Sequence, residues 1–284
     1  HLLSRRQRQM CIRDRCYSSL KKLSHLEKSL GTLGGGNHFI EIEQSVSGDY
    51  YLVIHSGSRN LGKQVAEIYQ RRAINLHRGW DEYTLRRQEI IKEYKELGKT
   101  KEINHALDEL KEGYGVLDIP EDLCWLYGDA LNDYLHDIEI CQKYAMRNRV
   151  LIANMIMDKA SLTEIDSFHT IHNYIDINEM ILRKGAIRAR KGEKVLIPMN
   201  MRDGSIIGIG KGNREWNYSA PHGAGRILSR KQAKEMLDIK EYKKSMEGIY
   251  TTSISLDTLD EAPQAYKSVA VSYTHLRAHE TLRH

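Results

Sequence analysis

The chain has 284 residues, 40% hydrophobic and 29% charged, the balance of a folded soluble protein rather than a disordered one. It holds no run of about 18 apolar residues and no ordered n-region, h-region and cleavage site, so neither a membrane span nor a secretory leader is expected. Cys11, Cys16, Cys124 and Cys141 form no C-x-x-C pair, which argues against a disulfide scaffold or a thiolate zinc site and makes a reducing cytoplasm the default setting.

The formal net charge of +5 resides at the two ends, while residues 16–270 balance 36 basic against 36 acidic side chains. The charge is therefore no sign that the body binds nucleic acid. The end strings HLLSRRQRQMCIRDR and VSYTHLRAHETLRH are similar to translated sequencing-adapter read-through. The expectation is that residues 1–15 and 271–284 are artefactual tails on a single-domain core, residues 16–270, whose gene runs on in both directions. His275 and His279 have the i, i+4 spacing of a helical metal pair but carry no functional weight in that segment.

In chain order, residues 29–37 form a Gly-rich turn, and Phe39, Ile40 and Ile42 read as a strand. Residues 50–55 (YYLVIH) read as a buried strand that ends in the loop SGSRNLG. A helix is expected over about 63–78, and helices exposing much of their surface over 81–112. The clearest helix spans about 128–157, with Leu131, Leu135, Ile138, Ala145, Ile152 and Ile156 as a packing stripe and His136 and Cys141 as packing or surface residues. Residues 168–177 read as a strand-to-loop passage, 192–198 and 205–210 as strands, 213–226 as a loop opening onto a helix over 227–237, and 253–260 as a short β-prone or loop segment. Strands scattered among helices without βαβ alternation predict an α+β fold.

The chemistry concentrates in loops that follow such elements. His38 ends a Gly-rich turn through which backbone N–H groups could approach a phosphate. His55 closes a strand, His172 and Asn173 sit in another passage, and His222 lies in PHGAGR. Four such histidines are a candidate metal or phosphoryl-transfer site, although spacings of 17, 117 and 50 residues do not by themselves bring them together.

GTLGGGNHFIE (31–41), HSGSRNLG (55–62), HNY (172–174), GKGN with NYSAPHGAGR (210–213 and 217–226) and DEAPQAYK (260–267) occur in this order and resemble the RtcB family. These are GTP- and manganese-dependent RNA ligases, also called tRNA-splicing ligases. The resemblance covers residues 17 to 268. It implies an α+β fold of packed sheets surrounded by helices, with one active-site cleft. It implies His38, His55 and His172 as metal ligands, two manganese ions in the complete site, and His222 as the nucleophile that carries GMP. It implies nucleotide contacts from Asn37, Glu41, Asn173, Asn200, Ser205, Tyr266 and Arg226, with Glu41 accepting from guanine N–H groups and Tyr266 stacking on the base. Arg59 is a further candidate phosphate binder. The implied reaction joins RNA 3′-phosphate or 2′,3′-cyclic phosphate ends to 5′-hydroxyl ends, in the cytoplasm, as RNA repair or tRNA splicing.

The chain also departs from the family. The upstream Asp-x-x-Cys that supplies a bridging thiolate is absent, since only Asp14-Arg15-Cys16 precedes His38, so Cys16 is not expected to be a ligand. A terminal Lys that touches GMP is absent, and Pro198-Met199-Asn200-Met201 replaces a Pro-Gly-Ser-Met run. Two other readings follow: a non-catalytic RNA-end binding protein with a degraded metal site, or a manganese-dependent phosphohydrolase. The basic run Arg183–Lys194 is the candidate RNA contact.

Overall fold

A computed structural model describes residues 16–270 and the backbone of 281–283. The readings placed on residues 1–15, on His275 and on His279 lie outside the described residues.

The elements run α1 (Leu23–Lys28), β1 (Phe39–Gln44), β2 (Tyr50–His55), α2 (Leu61–His77), α3 (Trp80–Glu96), α4 (Ile103–Glu112), α5 (Gly128–Ala160), β3 (His172–Asp176), β4 (Ile181–Arg188), β5 (Lys194–Asn200), β6 (Gly204–Gly210), β7 (Ser219–Pro221), α6 (Arg230–Met236), α7 (Ile239–Ser245) and β8 (Thr281–Arg283). With 46% helix and 17% strand, the fold is α+β, as expected. The sheets are β1-β2, β3-β4-β7 and β5-β6-β8, and every pairing recorded within the two three-stranded sheets is antiparallel. Among the described residues no helix is long and apolar enough to cross a membrane.

The chain divides into two compact units, His1–Phe39 with Ile54–Ile156, and Ile40–Val53 with Met157–His284. In the first unit, Leu61, Val65, Tyr69 and Ala73 recur every four residues and give α2 one buried stripe. That stripe packs with Cys141 and Tyr144 of α5 and with Cys16, Leu20 and Leu26. Cys141 is thus a packing residue and His136 a surface one, within the alternatives the sequence left open, and Cys16 joins the same core. Asp137 is fully buried and accepts from Tyr69 Oη at 2.7 Å and from the Cys16 amide at 3.0 Å, which removes the penalty of burying the hydroxyl unpaired. As expected, α3 and α4 bury none of their residues.

In the second unit, Val195, Ile197 and Met199 alternate inward on β5 and meet Ile187, Ala189 and Ala220. A separate cluster joins Tyr242 and Met246 to Leu259 and Ala262. The helix expected from residue 227 starts at Arg230, because Ser229 caps it in a reciprocal box with Gln232.

Two strands defy the simple apolar pattern. On β1 the half-buried side chains are Phe39, Glu41 and Glu43, while Ile40 and Ile42 are exposed. Strand β4, which the sequence reading treated only as a charged run, buries Arg183 and exposes Leu182.

Candidate functional site

The first unit presents two loops. One runs from Gly31 to His38 and feeds β1; the other runs from Ser56 to Asn60 and leads into α2. Asn148 of α5, fully buried, ties them together. Its Oδ1 accepts from the Gly31 amide at 2.7 Å and the Thr32 amide at 3.2 Å, and its Nδ2 donates to Thr32 O at 3.1 Å and Ser56 Oγ at 2.9 Å. Ser56 Oγ in turn donates to Leu33 O at 2.7 Å. A buried amide with its donors and acceptor all engaged makes the loops a rigid platform.

On that platform the rings of His38 and His55 lie 5.9 Å apart, and Phe39 stacks on His55 at 5.1 Å. His38 Nδ1 is buried without a hydrogen-bond partner. Burial first, then the nearby Arg59 guanidinium, lowers the His38 pKa, so this imidazole is neutral at neutral pH. Gly34 makes the close approach possible: its φ is +98°, and a Cβ there would sit 1.8 Å from Arg59 Nη1 and 2.6 Å from His38 Nδ1. Arg59 donates from Nε to Thr32 Oγ1 at 3.1 Å. Asn37 is exposed at the loop's edge.

The second unit presents a second histidine pair. The irregularity between His172 and Tyr174 in the β3–β4 register falls at Asn173, whose φ is +51°. Its Oδ1 accepts from the Gly185 amide at 2.7 Å, and the Gly185 carbonyl accepts from the His222 amide at 3.4 Å. This cross-strand link seats the exposed His222, just beyond β7, with its ring stacked on His172 at 5.1 Å and 28°. Fifty residues of sequence separate two rings that the sheet brings face to face.

The remaining nucleotide candidates are engaged with protein partners. Glu41 and Glu43 lie side by side on β1; burial first, then the Glu43 charge and a hydrogen bond to Glu43, push the Glu41 pKa up to about 8. Glu43 accepts from the Ser205 amide at 2.9 Å and from Ser205 Oγ at 2.8 Å. At neutral pH Glu41 is therefore protonated, sharing its proton with Glu43. Asn200 closes the β5–β6 turn, accepting from the amides of Arg202 and Asp203, each at 3.0 Å. Arg226 donates to Tyr266 Oη at 2.9 Å and to Leu228 O at 3.1 Å, and pairs with Glu261 at 3.6 Å. Tyr266 donates to Glu261 while the Arg226 guanidinium sits 4.7 Å from its ring centroid. Arg226 thus pins its own loop in this structure.

The basic run is not the free cationic surface the sequence suggested. Arg183 is 2% exposed; it pairs with Asp176 at 3.4 Å and donates to Asn217 O at 2.9 Å and Ser219 Oγ at 2.9 Å. Arg188 pairs with Glu193 at 2.8 Å, Arg190 with Glu179, and Lys194 with Asp166 at 2.6 Å. Arg188, Arg190 and Lys191 line an open depression together with Asp176 and Glu193. Carboxylates that the strands bring in from outside the run, and Glu193 within it, offset its charge.

A divalent cation has partial support from these residues. The buried, neutral, unpartnered His38 Nδ1 suits an imidazole-binding metal. Among the described residues, however, no group of three or more His, Cys, Asp or Glu side chains is arranged to hold one.

Sequence reasoning missed Asn148, Arg149 and Glu43. The signal for Asn148 was available: it occupies the inward stripe of α5 between Tyr144 and Ile152, where an apolar residue would otherwise sit. The inward face of Glu43 was hidden, because Ile40 and Ile42 suggested the opposite facing for β1.

A family model described as "tRNA-splicing ligase RtcB" matches residues 4–277. The chain belongs to the RtcB family. It is 27% identical to "RNA-splicing ligase RtcB" of Escherichia coli over 260 residues, covering 85% of this chain and 55% of that protein. It is 27% identical to "tRNA-splicing ligase RtcB" of Aeropyrum pernix over 295 residues, covering 85% and 54%. It is 29% identical to the "tRNA-splicing ligase RtcB" of Nanoarchaeum equitans over 300 residues, covering 87% and 56%. The chain thus spans about half the length of these curated relatives.

Proposed function

We propose that this chain is the catalytic region of an RNA ligase that joins 3′-phosphate or 2′,3′-cyclic phosphate RNA ends to 5′-hydroxyl ends, with GTP as the energy source, in the cytoplasm. The observation that carries the reading is the presentation of His222, exposed, stacked on His172 and held by the Gly185 carbonyl. A nucleophile for nucleotidyl transfer needs an accessible nitrogen on a rigid support, and this arrangement supplies both. Family membership and the names of the relatives support RNA ligation, while the end chemistry, the use of GTP and the cytoplasmic setting follow from the resemblance of the motifs.

His222 attacks the α-phosphate of GTP; the N–P bond forms as the bond to pyrophosphate breaks. The GMP then passes to an RNA 3′-phosphate, which a 2′,3′-cyclic phosphate end becomes when water opens its bond to the 2′-oxygen, and a 5′-hydroxyl displaces GMP to close the phosphodiester. Manganese, when bound by His38, His55 and His172, supplies charge stabilisation at the transferring phosphoryl group. Glu41, once ionised, accepts from guanine N1–H and N2–H, which offsets the repulsion from Glu43, itself held by Ser205. Asn37, Asn173, Asn200, Arg226 and Tyr266 complete the nucleotide contacts. For Arg226 and Tyr266 this requires that GTP compete with their pairing to Glu261.

The test is manganese-dependent covalent labelling of the full chain by GTP labelled at the α-phosphate. Labelling lost in His222→Ala and kept in His169→Ala supports the reading. No labelling, with hydrolysis of a phosphomonoester, would make the chain a phosphohydrolase; no labelling, with selective binding of RNA ends, would make it a binding protein.

A further inference from the structure

We propose that Arg149 is an oxyanion-binding residue, and that the loop platform of the first unit receives a terminal phosphoryl group through it. Arg149 follows Asn148 on α5, at the point where the helix ties the two loops. Its Nη1 donates to Ser56 O at 3.1 Å, one residue after His55. Its Nη2 is buried and has no hydrogen-bond partner. No carboxylate among the described residues forms an ion pair with it. Burial alone accounts for the lowering of its pKa, with no neighbouring charge to offset it.

A guanidinium keeps its proton, so the half-buried Arg149 side chain is a cation with one buried nitrogen left unpartnered. Removing a charge from water without a partner is among the most costly arrangements in a protein interior, and such groups are ordinarily paired. The neighbours deepen the imbalance. Arg59 likewise forms no carboxylate pair among the described residues, and His38 keeps a buried nitrogen unsatisfied. Arg59 and Arg149 thus share one loop platform, and among the described residues neither forms an ion pair with a carboxylate. The ligand that satisfies an open Arg fork in such a setting is a compact oxyanion with at least two acceptor oxygens, and a terminal phosphate fits that chemistry.

The phosphoryl group could come from a nucleotide or from an RNA end, and the choice of probes rests on the ligase reading. The experiment measures binding of three probes to the full chain in metal-free buffer: inorganic pyrophosphate, a short RNA ending in a 3′-phosphate, and the same RNA ending in a 3′-hydroxyl. Wild type is compared with Arg149→Met and Arg149→Lys. The expected result is a roughly ten- to hundredfold weaker Kd in Arg149→Met for pyrophosphate, for the 3′-phosphate RNA, or for both, with the 3′-hydroxyl RNA unaffected. Arg149→Lys, which keeps the charge and guards against a folding defect, should retain part of the affinity. Loss confined to pyrophosphate places the nucleotide there; loss confined to the 3′-phosphate places the RNA end there. Unchanged affinities, equal losses for all three probes, or no saturable binding of pyrophosphate or 3′-phosphate RNA by wild type would overturn the assignment. GTP labelling of the same proteins separates the two readings. Arg149-dependent oxyanion binding without labelling sinks the ligase alone, and labelling without Arg149-dependent binding sinks this inference alone.

Discussion

In the second unit, each arginine of the Arg183–Lys194 run faces a carboxylate: Arg183 faces Asp176, Arg188 faces Glu193 and Arg190 faces Glu179. In the first unit, Arg59 and Arg149 stand beside His38 and His55, and their hydrogen bonds go to a threonine hydroxyl and a backbone carbonyl. By sequence the first of these regions is the more basic. By structure it is the better neutralised. What matters to an incoming anion is charge left without a partner, and strand pairing decides that more than local composition does.

The comparison can be broken most forcefully at Asp176. This carboxylate is 6% exposed and serves both Arg183 and Arg188, at 3.4 Å and 3.8 Å. Asp176→Asn should cost up to about 3–5 kcal/mol in urea unfolding, because it leaves the buried Arg183 charge with Glu179, at 3.8 Å, as its remaining carboxylate. A loss below about 1 kcal/mol would show that the network is not what balances the run.

Next comes the platform itself. Gly34→Ala places a side chain at φ +98° and against Arg59 and His38. Strain alone should cost about 1–2 kcal/mol, and displacement of Arg59 should weaken pyrophosphate binding beyond what the loss of stability explains. Unchanged binding and melting temperature would show that the loop tolerates another path.

A smaller effect is expected from pH. Glu41, with a pKa pushed up to about 8 against an ordinary 4.5, holds its proton in the folded chain over a range where the unfolded chain has lost it. Its contribution to stability is therefore full below pH 4.5 and is lost as pH rises toward 8. Glu41→Gln should melt several degrees higher than wild type at pH 9, with the gap closing at acid pH. Because guanine donors need the ionised carboxylate, the affinity for GTP should tighten as pH rises through about 8 in wild type. In the glutamine variant it should stay flat, and a pH-dependent affinity there would assign the effect to another group.

The smallest change should come from the region that looked most basic. Arg188→Ala should alter the salt dependence of RNA binding by well under one unit of slope, since Glu193 already offsets that charge. Arg59→Ala should lower the slope by about one. If the two variants behave alike, the contrast between the regions fails.

Much of the fold was legible in advance. β2 appears at its expected bounds, α5 begins where expected and runs three residues further, and β5 and β6 fall within two residues of expectation, since each has a clean apolar period or run. β4 was not legible, because ILRKGAIR turns an arginine inward. The face of β1 was equally hidden, because its two isoleucines point out and its two glutamates point in. Both strands bury polar groups that are satisfied in part by residues far along the chain, such as Ser205 for Glu43 and Asn217 for Arg183. A local hydrophobic pattern carries no record of such partners.

The motifs around His38, His55, His172 and His222 were readable as the family's strings, which is why the candidate histidines and the family itself came from the sequence. The sequence also determined where glycine had to stand, since a positive φ and a close backbone approach admit little else. Only the tertiary structure decided that His222 stacks on His172, that Asn148 ties two loops into one platform, and that Arg149 keeps an open fork while Arg183 does not. The reason is physical: burial and charge pairing are relations between residues that the fold brings together, some near in sequence and some more than a hundred positions apart as Gly31 and Asn148 are, and they acquire an energy only when the chain has folded and water has been removed.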